Sequence, residues 1–296
     1  MDIAVATDFA GSTGDPDLSL RALAEAGFAS LHWCHHWCDD FHYGKHELAY
    51  IKSLLKQYHL RLLDIHGSQG VEKCWNSTVE YRRREGVDLV ANRIRMLREL
   101  DGTGTVMMHV PHFGIDTPEA DRPGISQSFD ALCRSIDELM PLLDSTDTLI
   151  AVENMWRDSW ETIEALLARY PANRIGICYD AGHANANCNK RLETLAKNKG
   201  RLEALHLHDN NGEGDQHQPP FYGTVDWPRL ADILATSSYS REISFELSMT
   251  HTPFLKEGLE PGVKQPYENR LAFARDAFER CSRFARQVAD ARQAVE

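Results

Sequence analysis

Six residues set the chemistry that this sequence can support. His66, His109, Glu153, Asp180, His206 and Glu246 each stand at the end of a short apolar run, and the six runs are consecutive. Imidazole nitrogen and carboxylate oxygen together suit zinc, manganese or iron, whereas a ring of carboxylates alone would suit magnesium better. One histidine or acidic residue after a strand ordinarily satisfies a hydrogen bond or caps the next helix. Burying six of them together is costly without cations to neutralise them, so their clustering predicts a metal site. His183, in Asp180-Ala181-Gly182-His183, extends the set, as do Asp215 and His217 in Gly214-Asp215-Gln216-His217. The Asp-x-His spacing lets two side chains point the same way from an extended loop.

These residues need a frame that brings six strand ends to one face. The strand candidates are Ile3–Thr7, Phe28–His32, Leu60–Ile65, Thr105–His109, Thr148–Glu153, Arg174–Tyr179, Leu202–Leu207 and Glu242–Leu247. They are short and apolar on both faces, as buried parallel strands are. Helical patterns fit between them. Ser77-x-x-Glu80 reads as a capping box ahead of Val87, Val90, Ile94 and Leu97. Phe129, Leu132, Ile136, Leu139 and Leu143 form one stripe, and Tyr267, Leu271, Ala274, Phe278 and Cys281 another. Asp158-x-x-Glu161 and Asp226 with Pro228 mark two further helix starts. Eight βα units predict an α/β fold, a single (β/α)8 TIM barrel spanning residues 1–296, with its chemistry at the C-terminal ends of the strands. An open doubly wound sheet is disfavoured, because Asp8-Phe9-Ala10-Gly11-Ser12-Thr13-Gly14 lacks the GxGxxG spacing.

Composition narrows the function classes. Apolar residues make up 42% of the 296, enough for one sizeable core. No apolar run approaches the ~20 residues that span a bilayer, and the first residues lack the pattern of a signal peptide; a cytoplasmic protein is expected. With 32 basic and 44 acidic residues the net charge is −12. Such a field repels polyanions and makes a nucleic-acid partner unlikely. The seven cysteines are irregularly spaced and imply no disulfide framework. The stretch Leu31-His32-Trp33-Cys34-His35-His36-Trp37-Cys38 lacks a second CxxC or HxxxH partner for zinc. It reads as a pocket wall in which Trp33 and Trp37 offer aromatic faces to a sugar. Arg82, Arg83 and Arg84, near a helix start, read as a solvated face, with phosphate binding as the alternative.

The most specific segments are Val152-Glu153-Asn154, Tyr179-Asp180-Ala181-Gly182-His183, His206-Leu207-His208-Asp209-Asn210 running to Asp215-Gln216-His217, Val225-Asp226-Trp227 and Phe245-Glu246-Leu247. Over nearly the whole chain these motifs resemble the xylose isomerase-like TIM-barrel superfamily. That superfamily contains sugar and sugar-phosphate isomerases and epimerases and also class II apurinic/apyrimidinic endonucleases. The resemblance implies a shared metal between Glu153, Asp180, His206 and Glu246. In trinuclear members it implies a second ion at His66, His109 and Glu153 and a third at His183, Asp215 and His217. Two features depart from the family pattern. The turn after His217 reads Gln218-Pro219-Pro220-Phe221-Tyr222-Gly223, with aromatics where the first glycine of Gly-x-Gly is expected; a bulky ring is thereby expected near the mouth. The endonuclease branch has Asn where this chain has His208, which, with the acidic charge, weakens a DNA-repair reading.

The leading expectation is a metal-dependent isomerase or epimerase of a sugar, sugar phosphate or keto-polyol. It would abstract a proton through a metal-stabilised enediolate, with Glu153 and Glu246 as the acid/base pair. One to three divalent ions, Zn2+ and/or Mn2+, are implied. Trp33, His109, His208 and Arg157 are the expected substrate contacts, and the partner is a sugar-like small molecule, with no membrane and with a homo-oligomer left open. The alternatives are a multi-metal phosphoesterase of the abasic-site endonuclease type, a metal-dependent dehydratase or lyase on a cyclic hydroxy-keto acid, and a non-catalytic scaffold barrel, which would have eroded ligands.

Overall fold

Short apolar runs with no polar face must be covered on both sides, and this chain covers them with helices outside and side chains within. The structure, a computed structural model, describes residues 2–11, 14–68, 70, 72–111, 123–155, 160–186, 191–255 and 265–295. The strands are β1 (Ile3–Ala6), β2 (Ser30–Trp33), β3 (Arg61–His66), β4 (Val106–Met108), β5 (Ile150–Glu153), β6 (Ile175–Asp180), β7 (Leu202–His206) and β8 (Ile243–Phe245). Consecutive strands from β1 to β7 pair in parallel, and β8 pairs with β1. Between β7 and β8 the ladder thins to one bridge, Leu207 opposite Phe245. There the Leu207 N–H donates to Ser244 C=O (3.1 Å) and the Glu246 N–H donates to Leu207 C=O (3.2 Å). This seam closes the (β/α)8 barrel and sets β7 and β8 side by side just where His206 and Glu246 leave them.

The helices are α1 (Asp17–Ala26), α2 (Lys45–Tyr58), α3 (Glu80–Glu99), α4 (Pro123–Thr146), α5 (Trp160–Arg169), α6 (Ala181–Ala186), α7 (Arg191–Asn198), α8 (Trp227–Ala235) and α9 (Tyr267–Val295). Leu132, Ile136, Leu139 and Leu143 of α4 are buried against the barrel, as their spacing predicts. Ala274 and Cys281 of α9 are buried, with Tyr267, Leu271 and Phe278 packed at the edge of the same core. Asp226 caps α8 by accepting the Arg229 N–H (3.1 Å), with proline in the first turn. Among the described residues no helix is long and apolar enough to cross a membrane.

Two local expectations are corrected. The Ser77–Glu80 capping box does not form: α3 begins at Glu80, and Ser77 Oγ instead accepts the N–H of Val79 (3.2 Å). The Glu80 carboxylate is drawn forward onto Arg83, at 2.8 and 2.9 Å, and so does not reach back. Arg83 itself is not part of a solvated face. It is buried, and it also donates to Glu138 (2.6 Å) and Ser135 (3.0 Å), tying α3 to α4. Arg82 pairs with Glu72 at 3.1 Å, and Arg84 is exposed as expected of a solvated face. Asp158 lies outside the described residues.

One packing detail reaches the site. A Cβ at Gly86 of α3 would stand 2.3 Å from the backbone nitrogen of Trp75, so only glycine lets the β3–α3 loop lie on this helix. From there the Trp75 indole N–H donates to the His109 carbonyl (3.0 Å). Gly86→Ala is therefore expected to destabilise the fold by about 1–3 kcal/mol through overpacking. Urea denaturation measures this, and an unchanged midpoint would show that the loop yields without cost.

Candidate metal centre

Strand alternation builds the site. Ala151, Cys178 and Ala204 form a buried cluster inside the barrel with Met107. Each lies two residues before Glu153, Asp180 or His206, so the polar residue follows on the same inner face. Small side chains beneath leave room for a layer of ligands above. The β6–β7 register then sets Asp180 opposite His206.

His206 Nδ1 lies 2.7 Å from Glu153 Oε1 and 3.3 Å from Glu246 Oε2. Glu153, Asp180, His206 and Glu246 each present one ligand atom within 4.8 Å of the others, as the shared-metal expectation requires. A second group of the same kind is His66, Glu153 and His206. The expected trio used His109 in place of His206. His109 stands at the rim, a quarter exposed, with its Nε2 3.0 Å from Glu153 Oε2. The third group is His183, Asp215 and His217, joined by His208.

Charge and burial balance at this centre. Burial by itself would raise the Glu153 carboxyl, but His206 and His109 outweigh it and hold Glu153 well below the usual carboxylate range. His206, His217 and His66 do the same for Glu246. Burial followed by the neighbouring His35 and His109 pushes the His66 imidazole well down, so that ring is neutral and its nitrogen lone pair is available. For His217, burial lowers the imidazole, but Asp215, Glu246 and Asp180 prevail and lift it to about 10. His206 Nε2 is buried without a hydrogen-bond partner. Orphaned buried polar atoms call for water or an ion, and three carboxylates with one imidazole are a donor set that fits a divalent cation.

The remaining motif residues hold the frame. Asn154 clamps β5 to β6, donating to Asp180 C=O and accepting the Asp180 N–H, both at 2.9 Å. Asp209 fastens the β7–α8 loop by accepting from the Trp227 indole (2.9 Å) and the Val225 N–H (3.0 Å). Phe221 adopts a left-handed φ of 69° where the family pattern has glycine. Its ring does not approach the mouth, as expected from sequence, but packs on Trp227 and beneath Arg283 on the outside of the barrel. Tyr222 likewise turns to α9, donating to Asp276 (3.2 Å).

A cavity of about 410 Å³ opens over the centre, lined among others by Asp8, His35, His66, His109, Glu153 and Glu246. Trp33 is not part of its wall. The indole is buried and donates to the Tyr43 hydroxyl (3.0 Å), because the inner face of β2 is taken by His32, paired with Asp64 at 2.7 Å. His208 is also absent from the lining; it is fully buried among the ligands. Arg157 lies outside the described residues. Asp8 and His35 line the cavity: His35 lies in the stretch read as a pocket wall, whereas Asp8 is not marked by the sequence motifs. Asp8 follows β1, so the strand-end rule, applied to the first strand as well, finds it. Burial, then the charge of Glu246, raises its carboxyl to about 6.

The model of the xylose isomerase-like TIM barrel matches residues 20–277. The chain belongs to this family. A protein of related sequence is the uncharacterized protein y4fM of Sinorhizobium fredii, 27% identical over 253 residues, 78% of this chain and 80% of that one. Among solved structures, a D-tagatose 3-epimerase-like protein superposes with a TM-score of 0.72 at 21% identity, covering 98% of this chain and 99% of the other. An L-ribulose 3-epimerase superposes with a TM-score of 0.72 at 15% identity, covering 100% and 97%. At these identities the likeness is one of fold.

The raised imidazoles give a signed expectation. His206 and His217 carry protons at neutral pH when no cation competes, and a metal takes only the neutral ring. Loading chelator-stripped protein with Zn2+ at pH 7 should release protons, and affinity should rise with pH. Calorimetry in buffers of different ionisation enthalpy reads the release; a buffer-independent heat would show that these rings are not ligands.

Proposed function

We propose that the protein is a divalent-metal-dependent isomerase or epimerase of a sugar, sugar phosphate or related keto-polyol. One observation carries this reading. Glu153 of β5 and Glu246 just beyond β8 flank Asp180 and His206 of the two intervening strands, and both glutamates line the cavity. A Zn2+ or Mn2+ ion held by these four residues would polarise a substrate carbonyl and acidify the neighbouring C–H. One glutamate would then remove that proton while the other, first protonated from solvent, delivers one to the opposite face or the adjacent carbon. Each carboxyl is held low by the histidines around it, so each suits the role of base, and the partner must take up a proton before it can act as acid. His109 at the rim is suited to a substrate oxygen, and Arg157 belongs to the same proposal. The cavity falls in the range of roughly 300–1,000 Å³ typical of small-molecule sites. Solved structures of the same fold include an L-ribulose 3-epimerase and a D-tagatose 3-epimerase-like protein.

A multi-metal phosphoesterase is the second reading, favoured by the additional group around Asp215. The two are separated by one pair of assays. Metal-dependent exchange of a substrate C–H proton with solvent deuterium should appear across a panel of ketoses and their phosphates. Glu246→Gln should lower it by about 10²–10⁴-fold. An abasic duplex should remain intact at physiological salt. Metal-dependent nicking of that duplex, lost in Glu246→Gln, with no exchange on any ketose, would overturn the proposal.

A further inference from the structure

We infer that His208 converts the peripheral group into a closed, four-coordinate zinc site, His183-His208-Asp215-His217, that locks the β7–α8 loop at the wall of the cavity, which His183, Asp215 and His217 also line. The resemblance implies three of these ligands; His208 adds a fourth, at the position where the endonuclease branch carries asparagine. The inference does not depend on the isomerase reading, because it concerns a site beside the shared one.

Geometry is the first support. A tetrahedral zinc with bonds of about 2.05 Å separates its ligand atoms by roughly 3.3 Å. The Nε2 atoms of His183, His208 and His217 stand 3.3, 3.4 and 3.1 Å from oxygens of the one Asp215 carboxylate. All four ligand atoms lie within 4.8 Å of one another.

Proton placement is the second. His183 Nδ1 faces the Asn154 carbonyl at 3.0 Å and His217 Nδ1 faces the Glu246 carbonyl at 3.1 Å. A carbonyl only accepts, so each ring keeps its proton on Nδ1. Nε2 is then the nitrogen that each ring turns to Asp215, and the one left for a metal to take.

The third support is the room made for His208. Its ring lies flat against Gly182, where a Cβ would come within 1.8 Å of Cε1, and it stacks on His217 with centroids 4.0 Å apart. His208 is fully buried and its Nδ1 has no partner. Its Nε2 also stands 3.0 Å from Asp180, so a hydrogen bond to Asp180 is the competing role. Four protein ligands leave no open position, and zinc sites so saturated are structural. His208, Asp215 and His217 all lie on the chain between β7 and α8, so one ion would pin that loop to His183 of α6.

The test uses cobalt, whose tetrahedral complexes absorb strongly in the visible and whose higher-coordinate ones absorb weakly. The full-length protein, stripped with chelator and loaded with Co2+, should show the intense band. His208→Asn and Asp215→Asn, each with native far-UV circular dichroism, should lose the band and one ion per chain by elemental analysis. Should His208→Asn fail to fold, Asp215→Asn together with the wild-type band carries the test, since Asp215 is a third exposed. A wild-type protein without the band overturns the inference. So does a folded His208→Asn protein that keeps the band and its ion count, which would assign His208 to Asp180.

Discussion

Two carboxylates and an imidazole meet inside the barrel, and the rest of the mouth is arranged to make that bearable. Glu153 and Glu246 approach His206 at 2.7 and 3.3 Å, with Glu153 and His206 buried and the Glu246 side chain 15% exposed to the cavity. Burial opposes both charges, and mutual attraction offsets it only because the geometry is held. The seam between β7 and β8 does much of the holding: two backbone hydrogen bonds at Leu207 fix how close His206 and Glu246 come. Asn154 performs the matching task between β5 and β6. A (β/α)8 barrel suits such a centre because its strand ends converge on one face, while its lower layer can be filled with small apolar residues such as Ala151 and Ala204.

Around this centre the imidazoles divide by their surroundings. His66, buried and set beside other imidazoles, is driven neutral. His206, His183 and His217, each facing carboxylates, are driven toward the protonated state despite burial. The same ring type is thus prepared in two ways within one cavity wall. A cation entering the carboxylate side displaces protons, whereas one entering near His66 meets a ready lone pair.

The loop between β7 and α8 shows how a family pattern can be kept in function and altered in sequence. Phe221 accepts a left-handed backbone that glycine would adopt without strain, and the cost is offset by packing on Trp227 and Arg283. The aromatic substitution thereby anchors the loop to α8 and α9 and leaves the mouth open.

The eight strands, the barrel and the candidate ligands were legible in the sequence because they rest on short-range regularities. Apolar runs of strand length, helical stripes between them and a polar residue at each run's end are all local patterns. What the sequence could not decide were the contacts between distant segments. Trp33 reads as a wall of the pocket, yet His32 and Asp64 occupy the inner face of β2 and turn the indole outward. Arg83 reads as solvated, yet Glu138 and Ser135, more than fifty residues on, bury it. His208 reads as a substrate contact, yet the absent side chain of Gly182 draws its ring beneath the mouth and beside Asp215. Local alternation fixes which face of a strand a residue occupies; only tertiary packing decides what waits on that face, because the partners come from other strands and helices whose distance along the chain carries no signal of their approach.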